Sequence, residues 1–288
     1  MSKFWWILSF QKGEMTILIA IINIALPPLY FALVWTYGKS FFRDLHWAKR
    51  MKSTFLLAVL AAHFIYLLIR TVTFSHPPVT SIPEILSMLS FSVAATYGLI
   101  ESRSKATETG YFILNIAFFF QLISSIFIKD LLFVPDFMKS FWFGLHVTDA
   151  LLGYAAITIS AAYGLLYLML YHEIKAHRFG VIYKKLPNLE TLERMNFIAI
   201  TLAFIFLSLA ITAGVIWLPM AFPGSTYADP KLIGTTSIWL IYGIGIISKM
   251  RGLLRGRSLM VLSIGAFVVA AFSMTMINLF FSNFHRFN

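Results

Sequence analysis

Long apolar runs separated by short polar stretches organise this chain. Eight such runs lie near residues 15–37, 53–72, 84–101, 110–128, 145–171, 196–218, 233–249 and 259–282. Each holds about 17 to 27 residues, enough at ~1.5 Å per residue to cross a hydrocarbon core about 30 Å thick. The runs are continuous and do not alternate with period two, so they predict helices rather than barrel strands. Within lipid, a helix satisfies its own backbone polar groups. The expected fold is an all-α integral membrane protein of about eight spans, forming a single membrane domain over 1–288. Residues 1–14 read as an interfacial segment: Trp5 and Trp6 suit headgroup depth, and no small-residue site marks a cleaved signal peptide. The first span and its loop fill 15–52, with a kink expected where Pro27 and Pro28 remove two backbone donors.

Composition sharpens this picture. The chain is 59% hydrophobic and 12% charged, with a mean hydropathy of +0.80, outside the range of soluble domains. Charge placement then sets the orientation. With eight spans, the loops 38–52, 102–109, 172–195 and 249–258 share one side and hold sixteen of the 23 Lys and Arg residues. The positive-inside rule makes that side cytoplasmic and places both termini outside, in a bacterial-type cytoplasmic membrane. The net charge of +11 is then a topology signal and a source of anionic-lipid contacts, and no nucleic-acid patch is expected.

The absence of cysteine removes thiolate metal sites and any haem attached through C-x-x-C-H to this chain. Metal chemistry would rest on His, Met or carboxylate. Of the seven histidines, His46, His172 and His177 fall in the basic loops and read as wet side chains. His146 opens span five in "FWFGLHVTDALLGY" and His285 closes span eight in "NLFFSNFHRFN", so both belong at the outer interface. Two neutral imidazoles facing across an apolar cleft can ligate a haem iron axially. Asp149, one turn after His146, can accept its other ring N–H or simply favour the helix start. Spacing alone leaves the alternative open that each is an amphipathic interfacial side chain.

His63 sits mid-span in "LLAVLAAHFIYLLIRTVTF", where an ionisable residue is a functional candidate by default. Arg70 follows seven residues later on the same face, ~10 Å nearer the outside. That arrangement suits an iron on the ring and propionates on the guanidinium. The competing reading is an imidazole hydrogen-bonded within the bundle. Glu84 follows Pro83 at the start of span three and reads as a helix-start residue. The outer loop "PMAFPGSTYADPKL" offers aromatic faces for a flat macrocycle, with Lys231, Lys139 and Arg286 as partners for its carboxylates. Aromatic-belt anchoring by Trp142, Phe143, Trp217 and Tyr227 explains the same residues. There is no P-loop, G-x-S-x-G, H-E-x-x-H or dinucleotide fingerprint, and the scattered glycines, Gly214 among them, read as helix-packing positions.

The stretches "LHVTDALLGYAAI", "LPNLETLERMNFIAITLAF", "ITAGVIW", "ADPKLIGTTSIWLIYGI", "RGRS" and "INLFFSNFH" occur in the order seen in CcsA/HemX-type membrane proteins of cytochrome c assembly. The ending resembles that family's N-x-x-x-S-x-x-H, here Asn278, Ser282 and His285. "AAHFIYLLIRTVTFSHPPVTSIPE" resembles the first half, so the likeness runs over 53–288. It includes a reduced form of the tryptophan-rich WWD loop, in which Trp217 and Asp229-Pro230-Lys231 match but Thr226, Tyr227 and Ala228 stand where tryptophans are expected. Span seven reads "GIGIISK", with Ile247 and Ser248 where full synthases carry a histidine, which is closer to the HemX-like branch.

The resemblance implies a protein that holds and presents haem b non-covalently at the outer face. His146 and His285 would be the axial ligands, Trp217, Tyr227 and Asp229 would cover the porphyrin, and Lys231, Arg70 or Arg286 would hold propionates, with His63 a further candidate. No residue would form a covalent intermediate, and any catalysis, as in a cytochrome c synthase subunit, would be positioning. A CcsB-like membrane partner and apocytochrome c are the implied partners. A second expectation is a HemX-like, haem-dependent regulator whose loop 172–195 meets a haem-synthesis enzyme. A transporter or a b-type electron-transfer protein is the remaining alternative; two stacked haems would need paired mid-membrane histidines, and the spans offer His63 alone.

Overall fold

The structure is a computed structural model. It describes residues 2–129, 134–178, 180–222 and 230–273, with side chains described from residue 14 onward except 230 and 231. The described residues form helices joined by short loops and contain no strand. The helices are α1 (Ser2–Arg43), α2 (His46–Phe74), α3 (Ile82–Ser104), α4 (Gly110–Phe127), α5 (Phe141–Lys175), the short α6 (Val181–Lys185), α7 (Leu189–Ala221), α8 (Pro230–Met250) and α9 (Arg257–Phe272). Seven are long and apolar enough to span a membrane. The eighth expected span corresponds to α9, of which 16 residues are described; the part of 259–282 beyond residue 273 lies outside the described residues. The helix through the first span starts at Ser2 and runs through both Pro27 and Pro28.

Local signals set the helix ends. At α3, the Ser81 side chain caps the Glu84 N–H, and Pro sits in the first turn, where its missing donor costs nothing. Asn188 caps α7 through the Thr191 N–H at 2.8 Å. Ser75 ends α2 in the left-handed region at φ 58°.

The helices form two packed groups, α1–α4 and α5 with α7–α9, joined along α3 and α5. Side chains such as Ile17, Phe31, Val72, Phe141 and Val268 stay exposed on the outer faces, as lipid-facing residues must. Between helices the second group carries a polar core. Asn196 on α7 donates to the Ser160 carbonyl at 2.7 Å and to Ser263 Oγ at 3.1 Å, and Ser160 meets Tyr242 at 3.0 Å, tying α5, α7, α8 and α9.

The four basic loops touch one another at one end of the bundle. Lys185 pairs with Asp44, Arg194 donates to the Ser104 carbonyl at 2.9 Å, and Glu193 pairs with Lys249 while accepting the Gly256 N–H at 3.0 Å. At the opposite end, Ser124 donates to the Pro83 carbonyl at 2.7 Å and Phe137 packs on Phe222 at 5.3 Å. These are the same four loops that charge counting groups on one side.

Candidate functional site

At the end of the bundle opposite the basic loops, α5 places His146 against α7. Three α7 positions spaced by four and three residues, Ala210, Gly214 and Trp217, share the face that meets it. His146 Nδ1 lies 2.8 Å from the Ala210 carbonyl oxygen. A carbonyl can only accept, so Nδ1 carries the ring proton and the lone pair stands on Nε2. A second bond to the same oxygen is available because it has two lone pairs. The Trp217 indole, 6% exposed, lies nearly parallel to the imidazole, 14° apart with centroids at 6.1 Å. Phe143 packs on the same indole at 5.3 Å, with Phe137 and Phe222 around it at 6.3 and 5.9 Å.

Gly214 makes this contact possible. A β-carbon there would stand 2.7 Å from His146 Nδ1 and 2.9 Å from Cε1. Any other residue at 214 would push the ring off the Ala210 carbonyl. The glycine that read as generic helix packing therefore sets the imidazole's position. The loop before α3 also rests nearby: a β-carbon on Gly144 would meet Pro77 at 3.3 Å, and the buried His76 beside it donates Nδ1–H to the Pro77 carbonyl at 3.0 Å.

Asp149, the expected acceptor for the second ring nitrogen of His146, is buried one turn away, but the Nδ1 proton goes to Ala210 instead. A backbone carbonyl serves the same purpose as a carboxylate: it fixes the tautomer and orients the ring for a ligand on the other nitrogen. The donor chemistry thus fits a haem iron. Lys139 is engaged with Asp136 at 2.7 Å, and that lysine holds the Asp136 carboxyl below the usual carboxylate range. Tyr227, Asp229, His285 and Arg286 lie outside the described residues, as does the Lys231 side chain.

His63 and Arg70 are each engaged with partners in the first half of the bundle. His63 is fully buried between α1 and α3, with Nδ1 at 2.9 Å from Tyr30 Oη and Nε2 at 3.0 Å from Ser87 Oγ. Ser87 in turn donates to Gln121 Oε1 at 3.1 Å, so it accepts from Nε2–H while Tyr30 donates to Nδ1. Both ring nitrogens thus have side-chain partners, and an iron could reach neither without displacing one. Arg70, 2% exposed, donates to Glu84 Oε1 at 2.8 Å and lies over the Phe74 ring at 4.9 Å. Glu84 Oε2 also accepts from the Thr80 N–H at 3.0 Å and its hydroxyl at 2.7 Å. The sequence treated Glu84 as a helix-start residue; it is also the counter-charge of the arginine. The available signal was the cost of a lone cation inside a span, which demands an acid on a neighbouring helix.

Known proteins give this geometry a context. Protein HemX of Brevibacillus brevis is 26% identical over 229 residues, covering 77% of this chain and 82% of that protein. Protein HemX of Bacillus subtilis (strain 168) is 26% identical over 148 residues, about half of each chain (50% and 52%). The cytochrome c biogenesis protein CcsA of Cuscuta exaltata is 25% identical over 247 residues, covering 74% and 75%. Residues 24–287 match the family model described as cytochrome c assembly protein, which reaches back into the first span, beyond what the motif residues covered. The chain belongs to the cytochrome c assembly protein family.

Proposed function

We propose that this protein holds haem b, without a covalent bond, at the outward end of the bundle and presents it to an apocytochrome c. His146 and His285 would hold the haem iron. The observation that carries this reading is the His146 setting: a proton fixed on Nδ1 by the Ala210 carbonyl, a ring seated over Gly214, and a parallel indole from Trp217. Tyr227 and Asp229 would cover the macrocycle and Lys231 and Arg286 would meet its propionates, while Trp217, parallel to the imidazole, would brace that ring rather than cover the macrocycle. His63 enters this role only by giving up a hydrogen bond to Tyr30 or Ser87, and Arg70 only beside the Glu84 carboxylate that it already holds.

In this reading the protein's own residues orient the haem and shield one face. The thiols that react come from the apocytochrome, and a CcsB-like membrane protein completes the presenting surface. The membrane is the bacterial cytoplasmic one, with the basic loops inside and His146 facing out.

The relatives named HemX favour a second reading, a haem-dependent regulator whose loop 172–195 meets a haem-synthesis enzyme at the basic end. Both readings share the haem site and differ in the partner, so co-purification with a CcsB-like protein or with a haem-synthesis enzyme separates them.

The test is the absorption spectrum and pyridine haemochrome of detergent-purified protein, beside His146→Ala, His285→Ala and His63→Ala. Low-spin b-type haem in the wild type, lost or turned high-spin in the first two variants, is the expected result. A change in the third would add an internal site. A colourless wild type that takes up no added haem would overturn the proposal.

A further inference from the structure

The basic end of the bundle carries features that the haem reading does not use. A cleft of about 510 Å³ opens where the end of α1 (Tyr37, Ser40), the start of α2 (Lys49, Lys52) and α6 (Lys184, Lys185) converge. A neighbouring cleft of about 490 Å³ shares Lys184 and Lys185 and adds Arg194. The decisive residue is Lys52. It lines the first cleft, yet is only 7% exposed, and its ammonium donates to a single neutral acceptor, Ser40 Oγ, at 3.0 Å. The Tyr37 ring lies beneath it at 5.7 Å. An ammonium has three donors and this one uses a single one, while Glu108 and Glu101 are the anions near enough to act on it through their charge.

The acids nearby make their hydrogen bonds with other groups, although Glu108 and Glu101 still offset part of the Lys52 charge. Glu101 accepts from Tyr37 at 2.8 Å, Tyr97 at 2.6 Å and Ser53 at 2.5 Å. Asp44 is shared between Lys49 at 2.8 Å and Lys185. Glu108, exposed, is the one other carboxylate at the rim. The cleft therefore has an excess of positive charge around a buried ammonium with donors to spare.

Its depth is marked by aromatic residues. Trp35 and Trp47 pack together at 5.7 Å, both are about half exposed, and Lys39 sits 4.9 Å over Trp35, as interfacial tryptophans do. Lys49 and Lys52 lie within two turns of Trp47, which places the cleft at headgroup level. Basic pockets between helix ends at that level suit anionic phosphate groups. We infer that this cleft binds a phosphate group, with Lys52 as its buried anchor and Lys49 and Lys184 closing on it. The phosphate can belong to an anionic lipid headgroup or to a soluble phosphorylated molecule.

Native mass spectrometry of the full-length, delipidated protein tests this, with phosphatidylglycerol, phosphatidylcholine or inorganic phosphate added back. The expected result is one phosphatidylglycerol retained at least about tenfold more tightly than phosphatidylcholine, with the preference lost in Lys52→Met. The Lys49→Ala/Lys184→Ala double variant, at exposed positions that cannot unfold the core, should lose several-fold even if Lys52→Met folds poorly. Lys39→Met, which lines neither cleft, should behave as wild type. Displacement of the lipid by millimolar phosphate, with phosphate alone binding, would assign the site to soluble phosphorylated ligands. Binding of the lipid alone would assign it to the membrane. Equal retention of both lipids with no phosphate binding, or wild-type behaviour of both the single and double variants, would overturn the inference.

Discussion

The two halves of this bundle each seat a histidine against a neighbouring helix, fully buried in the first and half-buried in the second, and they do it differently. In the first half, side chains on α1 and α3 take both nitrogens of His63, and the nearby Arg70 is neutralised by Glu84. In the second half, a backbone carbonyl takes the Nδ1 proton of His146 and an indole lies along its face. One arrangement closes the imidazole into a network that stabilises the bundle. The other orients it and directs its lone pair. What differs between the two is the kind of group that holds Nδ1, a tyrosine hydroxyl for His63 and a backbone carbonyl for His146.

Breaking the Arg70–Glu84 pair should have the largest effect on the contrast. Arg70→Ala leaves the Glu84 carboxylate buried without its cation, a loss of about 3–5 kcal/mol for a pair so enclosed. Thermal unfolding in detergent should show a marked drop in midpoint, whereas the double variant Arg70→Met/Glu84→Gln should recover most of it. If the single and double variants melted alike, the pair would not be the source of the stability.

Gly214→Ala comes next. Its methyl would press on the His146 ring, and overpacking of this kind costs about 1–3 kcal/mol. The sharper readout is haem: the low-spin spectrum should weaken or turn high-spin while the fold persists. Gly98→Ala is a fair control, since a β-carbon there meets only Leu56 and Leu60 at 3.6 Å. Equal haem spectra in the two variants would count against the role assigned to Gly214.

Tyr30→Phe removes the donor to His63 Nδ1 and leaves a buried acceptor unsatisfied, at about 1–3 kcal/mol. Stability should fall with no change in haem content per folded protein. A loss of haem would move His63 from the structural network to the haem path. The smallest effect is expected for Trp239→Phe, which loses the 2.7 Å bond from Nε1 to Ser208 but keeps the stack on Phe204 at 5.2 Å; about 1 kcal/mol by melting is the expectation.

How much of this was legible in the sequence follows from the kind of signal each feature leaves. The spans were readable because a bilayer imposes length and polarity on every helix. The shared end of the basic loops was readable because charge sets topology, and the Lys185–Asp44 and Glu193–Lys249 contacts agree with it. Trp217 could be placed near His146 only through its resemblance to a family motif. The Ala210 carbonyl could not be foreseen, since every residue has one. Gly214 was visible as a glycine but not as the seat of a ring, because that depends on the rotation of α7 against α5. Arg70 was aimed outward, toward propionates, because the acid that holds it stands fourteen residues away on another helix. His285, Tyr227 and Asp229 remain expectations from the sequence.

The central claim is that His146 supplies one axial ligand from Nε2. Its most direct test is the spin state of haem bound to His146→Gly, measured by absorption and electron paramagnetic resonance before and after adding free imidazole. The account predicts high-spin or lost haem without imidazole and a return to the low-spin spectrum with it, while His63→Gly stays low-spin throughout. A His146→Gly protein that keeps wild-type low-spin haem in the absence of imidazole would contradict the account.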